Sequence, residues 1–231
     1  MSDSWIRTIR AEGDRCLIIE LGDAIDERIG LRSRQLAREI ERANWLGVVD
    51  VIATFAAVAV YFVPPVDSLK TKIHNLAQTL TDDAISDVRR VTIPICYDAQ
   101  FGLDLEHVAA HAGLSVPDLI QAHQRTVCRV FMLGFSPGLP YLGLFDERFN
   151  LPRLKSPRTR VAGGTIGVAN RQAVIYPSTL PGGWNLVGAT PLPLFDPYAP
   201  EPSLLMPGDE VRFEAITLEA YNDYRASSGK T

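Results

Sequence analysis

Between Phe131 and Pro197 this chain carries nine of its 17 glycines and nine of its 16 prolines, interleaved with aromatic and basic residues. The stretch reads GFSPGLPYL, LPRLKSPRTRVAGGTIGVANRQAVIYP and PGGWNLVGATPLPLFDP in succession. Proline withholds an amide donor and glycine opens backbone conformations closed to other residues, so this punctuation excludes a helical layer. The apolar runs between the turns, Val127 to Leu133, Thr165 to Ala169, Val174 to Tyr176 and Trp184 to Val187, have strand character. A loop-rich β domain is expected.

The residues before it follow a different pattern. Trp5 to Ile9 and Cys16 to Leu21 read as strands joined at Glu12-Gly13-Asp14. A helix over Asp26 to Arg42 places Ile25, Ile29, Leu36 and Ile40 on one face. Val48 to Ala53 and Ala57 to Val63 form a second strand pair. After Pro64-Pro65, the spacing of Leu69, Ile73, Leu76, Ala77 and Leu80 predicts a second amphipathic helix. The expected fold class is therefore α+β: a small ββαββα sandwich over residues 1–84, then a β-rich domain over 85–231. Thr81-Asp82-Asp83 is expected to begin the linker.

Composition narrows the function classes. A net charge of -4 with 22% charged residues gives no broad basic footprint for nucleic acid. No signal peptide or run of about eighteen apolar residues is evident, so no membrane association and a cytoplasmic location are expected. Cys16, Cys96 and Cys128 are widely separated and odd in number, which fits packed thiols and neither a disulfide framework nor a zinc site.

Several local patterns imitate functional motifs. VAAHAGLSVPDLIQAH resembles a helix-turn-helix, with Gly113 ending one helix and Ser115 to Asp118 capping the next. Its second helix opens Asp118-Leu119-Ile120, which lacks the groups that read bases and bind phosphate. Ser228-Gly229-Lys230-Thr231 resembles the end of a P-loop, yet Tyr224 replaces the first glycine, and a disordered terminus is expected. GFSPG satisfies G-x-S-x-G literally around Ser136, but Pro137 and Pro140 oppose the helix that a nucleophile elbow needs. His107 and His111 have the i, i+4 spacing of paired metal ligands without a carboxylate or cysteine to complete a set, so no metal site is expected. His74 falls opposite the apolar stripe of its helix and is expected at the surface.

Better site candidates lie in and just before the glycine-rich blocks. His123 is a candidate acid, base or hydrogen-bond donor, with a helix-end role as the alternative. Arg153, Lys155, Arg158 and Arg160 cluster in one loop, where a guanidinium suits a carboxylate or phosphate. Gln172 and Tyr176 project from one side of a predicted strand, and Trp184 follows Gly182-Gly183 as a pocket wall or a core residue.

These blocks, with GDRCLIIELGD near the start, IPICYDAQFGLDLEHVA before His123 and LLMPGDEVRF near the end, resemble the allophanate hydrolase subunit 1 family. The family is also described as carboxyltransferase subdomain C and D, and it includes the kinase inhibitor KipI and the B component of bacterial 5-oxoprolinase. The resemblance implies that the second domain is a cyclophilin-like β-barrel and that the chain pairs with an allophanate hydrolase subunit 2-like protein. With that protein and a LamB/YcsF-like subunit, it implies an ATP-dependent 5-oxoprolinase, with ATP and Mg bound in the assembled complex. For that reaction His123 is the catalytic candidate, and Arg153, Arg158, Gln172, Tyr176 and Trp184 are substrate-binding candidates, on the residue chemistry above. A KipI-like inhibitor of a sensor histidine kinase and a carboxyltransferase component are the alternatives. The sequence departs from the family pattern at three places: Leu139 stands where phenylalanine is usual, VAGGTIG replaces VPAGSVG, and Ala173 follows Gln172 where threonine is usual.

Overall fold

The computed structural model describes residues 5–64, 68–81 and 88–228. The chain divides into two compact units, Met1–Asp87 and Val88–Thr231.

In the first unit, strands β1 (Thr8–Ala11), β2 (Cys16–Glu20), β3 (Val48–Ala53) and β4 (Ala57–Phe62) form an antiparallel sheet in the order β1-β2-β4-β3. Helices α1 (Glu27–Ala43) and α2 (Leu69–Thr79) complete the ββαββα order that the periodicity predicts. Asp26 caps α1 by accepting from the Arg28 and Ile29 amides at 2.9 and 3.0 Å, and Asn44 ends it in the left-handed conformation. Alternation along β2 and β4 sends Ile19, Val58 and Val60 into a core that Leu36 and Ile40 of α1 and Ile73 of α2 close from the helical side. His74 is exposed, beside Gln78. The expected linker at Asp82 and Asp83 and the break at Pro65 lie outside the described residues.

The second unit is built on a curled seven-stranded sheet. Its strands are β5 (Arg90–Ile95), β6 (Cys128–Leu133), β7 (Pro140–Gly143), β9 (Thr165–Ala169), β10 (Gln172–Ile175), β12 (Asn185–Ala189) and β13 (Glu210–Ala215), in the order β12-β9-β10-β7-β6-β13-β5. All pairs are antiparallel except β13 with β5. Just past β5, Cys96 exchanges hydrogen bonds of 2.8 and 3.0 Å with Ala189 at the end of β12. The two edges of the sheet therefore meet, and the sheet closes into a nearly complete barrel, the architecture the family resemblance implies. A separate ribbon pairs β8 (Arg158–Val161) with β11 (Leu180–Gly182).

Helices α3 (Leu105–Ala112) and α4 (Val116–Arg125) precede β6, and α5 (Leu218–Ser228) follows β13. Gly113 takes φ 66° to end α3, and the Ser115 hydroxyl accepts from the Asp118 amide to open α4. The buried face of α4 carries Leu119 and His123. Barrel residues facing inward, including Ile93, Val130, Leu142, Ile166, Ala173 and Phe213, form one core with Leu105, Val108 and Leu119 of the helices. Residues facing outward from β9 and β10 join a second cluster with Leu139, Tyr176, Trp184 and Leu186. Among the described residues no helix is long and apolar enough to cross a membrane. Cys16, Cys96 and Cys128 are buried free thiols.

Candidate functional site

The G-x-S-x-G pattern forms a tight strand-to-strand turn. Ser136 lies between β6 and β7, where Leu139 N donates to the Ser136 carbonyl and Gly134 N to the Leu139 carbonyl, both at 3.1 Å. Gly138 takes φ 76°, and an added Cβ there would stand 2.6 Å from the Phe195 side chain. No helix follows the serine, so it is not a nucleophile elbow. His107 and His111 are exposed, and no group of three metal-ligating side chains occurs among the described residues. The P-loop-like Gly229 to Thr231 lies outside the described residues.

His123 is not the accessible catalytic group that the sequence suggests. It is 2% exposed, stacked against Phe145 and Phe213 at ring separations of 5.1 and 4.5 Å. Its Nδ1 is hydrogen-bonded to the Tyr97 hydroxyl at 2.7 Å, while its buried Nε2 has no partner. Burial pushes its pKa down to about 3, so it is a neutral ring inside the core and not an acid or base within reach of substrate. The spacing Leu119 to His123, i to i+4, already places it on the apolar face of α4.

Arg158 is likewise engaged within the fold. Its Nη2 donates to Asp104 Oδ1 at 2.7 Å, and Asp104 Oδ2 accepts from the Leu186 amide at 2.7 Å. The pair ties the start of α3 to β12 and to the β8–β11 ribbon. Gln172 is buried at the opposite end of β10 from Tyr176, roughly 13 Å away along the strand, with Nε2 unpartnered. The shared face is real, but the distance keeps Gln172 out of Tyr176's surroundings. Ala173 faces the barrel core, so the missing hydroxyl at that position concerns packing.

The remaining three candidates come together in one cleft of about 230 Å³, whose lining includes Arg153, Tyr176 and Trp184. The Arg153 guanidinium lies over the Trp184 ring at 4.5 Å. Tyr141, tilted against Trp184 at 6.2 Å, and Leu139 add apolar wall. Leucine at 139 gives that wall a smaller side chain than the phenylalanine usual in the family. Phe135 stands at the cleft with 68% of its surface exposed and φ 68°, a left-handed conformation rare for an aromatic residue. Tyr141 and Phe135 belong to the GFSPGLPYL block, whose spacing places them at a hairpin beside Trp184 only once β6 and β7 are known to pair.

Tyr176 is 1% exposed, and among the described residues no acceptor takes its O–H proton. Burial raises its pKa to about 12, opposed by Arg153, the Trp184 amide and Arg158. It is a neutral donor throughout the neutral range. Gly182 is required above it: a Cβ there would fall 1.9 Å from the phenol oxygen and 2.7 Å from Cζ. Gly182→Ala is therefore expected to displace Tyr176 at a cost of about 1–3 kcal/mol in urea unfolding. Adding Tyr176→Phe, which removes the oxygen but leaves the ring, is expected to recover part of that loss.

The carboxyltransferase domain, subdomain C and D, matches residues 7–205. The chain belongs to that family. It is 35% identical to the B component of 5-oxoprolinase from Bacillus subtilis (strain 168) over 229 residues, covering 94% of this chain and 95% of that protein. The crystal structure of TTHA0988 superposes with a TM-score of 0.77 at 35% identity over 87% of this chain, which spans 40% of TTHA0988. The urea amidolyase of K. lactis shares the fold, with a TM-score of 0.76 at 22% identity over 96% of this chain and 16% of that one. All the residues that line the cleft, from Phe135 to Trp184, fall within the matched carboxyltransferase region.

Proposed function

We propose that this chain is the B component of a heteromeric, ATP-dependent 5-oxoprolinase that opens 5-oxo-L-proline to L-glutamate. It contributes the Arg153–Tyr176–Trp184 cleft to a composite active site. The reading is carried by the 35% identity to the Bacillus subtilis 5-oxoprolinase component along nearly the full length of both chains. The expected partners are an allophanate hydrolase subunit 2-like protein and a LamB/YcsF-like protein.

The chemistry explains why ring opening is coupled to ATP. A five-membered lactam is an amide, whose carbonyl carbon is a poor electrophile until charge on its oxygen is stabilised. Coupling ring opening to ATP hydrolysis supplies the driving force. The cleft itself does not fit Mg-ATP: it offers a single guanidinium, no carboxylate to hold a divalent cation, and no glycine-rich loop opening a helix. ATP is accordingly not assigned to this cleft. What this chain supplies is a pocket with apolar walls, a fixed positive charge and a neutral hydroxyl donor.

Assembly is the first test. Co-expressed with the two partner proteins, the chain is expected to copurify with them, and 5-oxo-L-proline is expected to stimulate ATP hydrolysis by that complex. A complex that hydrolyses ATP at the same rate with and without the lactam contradicts the reading.

A further inference from the structure

Two side chains in the cleft keep hydrogen-bond donors that the fold does not use. The Arg153 guanidinium lies over the Trp184 ring, and none of the residues lining the cleft is acidic. A cation–π contact of this kind takes up no N–H acceptor, so the guanidinium keeps donors for a planar anion. The buried Tyr176 hydroxyl lies beside the Trp184 amide, which can only donate to it, so its own O–H finds no acceptor among the described residues, an arrangement relieved by an acceptor brought in from outside. At about 230 Å³ the cleft is smaller than the roughly 300–1,000 Å³ typical of pockets for drug-sized ligands, which suits a single small ring.

We infer that this cleft is the binding site for the lactam acid itself, with Arg153 pairing with its carboxylate and Tyr176 donating a hydrogen bond to its ring carbonyl oxygen. Trp184, Tyr141 and Leu139 provide the apolar surface for the ring methylenes. Phe135, exposed in its left-handed conformation, borders the ligand on the solvent side. The identity of the ligand rests on the oxoprolinase reading; the placement of an acid and an acceptor rests on the two side chains. Both residues bind substrate directly, and the pairing makes the site selective for an acid that also carries a carbonyl.

The test uses the full chain and three probes: 5-oxo-L-proline, pyrrolidin-2-one, which lacks the carboxylate, and L-proline, which lacks the ring carbonyl. Trp184 reports binding by fluorescence, with Trp184→Phe as the control that removes the signal. Near-UV circular dichroism verifies that each variant is folded. The wild type is expected to saturate with 5-oxo-L-proline and to prefer it over pyrrolidin-2-one. Arg153→Gln is expected to weaken 5-oxo-L-proline binding roughly 10- to 100-fold and to abolish that preference. Tyr176→Phe is expected to weaken it roughly 5-fold or more while leaving L-proline binding unchanged.

Equal affinity of the wild type for the acid and the neutral lactam overturns the inference. So does a turning-over complex whose KM for 5-oxo-L-proline is the same in wild type, Arg153→Gln and Tyr176→Phe; that result leaves the functional reading standing. Acid-selective binding that depends on Arg153, in an assembly that makes no glutamate, upholds the cleft assignment and overturns the reaction.

Discussion

On acidification from pH 6.5 to 5, the wild-type protein is expected to lose about 2 kcal/mol more stability than a His123→Phe variant. The cause is the burial of His123 among Phe145, Phe149, Phe213 and Tyr97. In the unfolded chain the imidazole takes a proton near its ordinary pKa of about 6.5, whereas in the native state it resists until about pH 3. The folded value is depressed, so the unfolded state binds more protons throughout that window and stability falls as the pH falls. The slope is about 1.4 kcal/mol per pH unit, giving roughly 4 kcal/mol or more by pH 3. Well above pH 6.5 both states are neutral and the effect vanishes. Phenylalanine keeps the ring packing and removes the titration, although it leaves the Tyr97 hydroxyl without its 2.7 Å partner. Carboxylates titrate alike in both proteins, so the difference between their urea unfolding curves at pH 6.5 and 5 isolates the histidine. Parallel pH profiles for the two would show that residue 123 is accessible to protons in the native state.

Asp104→Ala is expected to cost about 1–3 kcal/mol, the range seen when a shielded group loses its hydrogen-bond partner. The substitution removes the acceptor of Arg158 Nη2 and of the Leu186 amide at once, leaving the guanidinium only its 3.4 Å contact from Nη1 to the Trp184 carbonyl. Both side chains are largely shielded from water, so solvent replaces the carboxylate poorly. Arg158→Ala is expected to lower stability in the same way, and the double variant to be less destabilised than the sum of the two. Thermal unfolding of the four proteins measures that coupling. An additive result would mean that the pair holds nothing together, and it would return Arg158 to the residues free to bind an anion.

The first unit is legible in the sequence because its order is local. Each strand and helix of the ββαββα pattern repeats with its own period, and the boundaries of α1, α2, β3 and β4 follow from the spacing of residues such as Leu36, Ile40, Ile73 and Val60. The barrel is legible only in part. Strands β9 and β12 are apolar runs, whereas β7, β8 and β11 have three or four residues each and contain proline or alternate charge. Pro140 is tolerated as the first residue of β7, and Pro181 sits in a ribbon strand with one neighbour, which are the positions a strand proline can occupy. Helix α5 carries too weak an apolar stripe to stand out among the charges of Leu218–Ser228.

The site divides along the same line. Arg153, Tyr176 and Trp184 share a cleft because β8, β10 and β11 bring distant blocks together. Arg158, five residues from Arg153, is diverted by an aspartate 54 positions earlier in the chain. No local pattern distinguishes two arginines in one loop when long-range pairing decides which remains free. His123 is different: its spacing to Leu119 marks the buried face of α4, and that periodicity outranks the general reactivity of an imidazole as a guide to its role. The family blocks mark the region, and packing decides which of their side chains line the cleft.

Whether this chain completes a lactam-opening enzyme is decided by a subunit-omission assay with isotopically labelled 5-oxo-L-proline. The labelled lactam, ATP and Mg²⁺ are incubated with the two partner proteins in the presence and absence of this chain, and labelled L-glutamate is measured. Glutamate is expected, with matching ATP consumption, only when the chain is present. Glutamate formed at the same rate without the chain, or none formed by a stable complex of all three proteins, would refute the assignment.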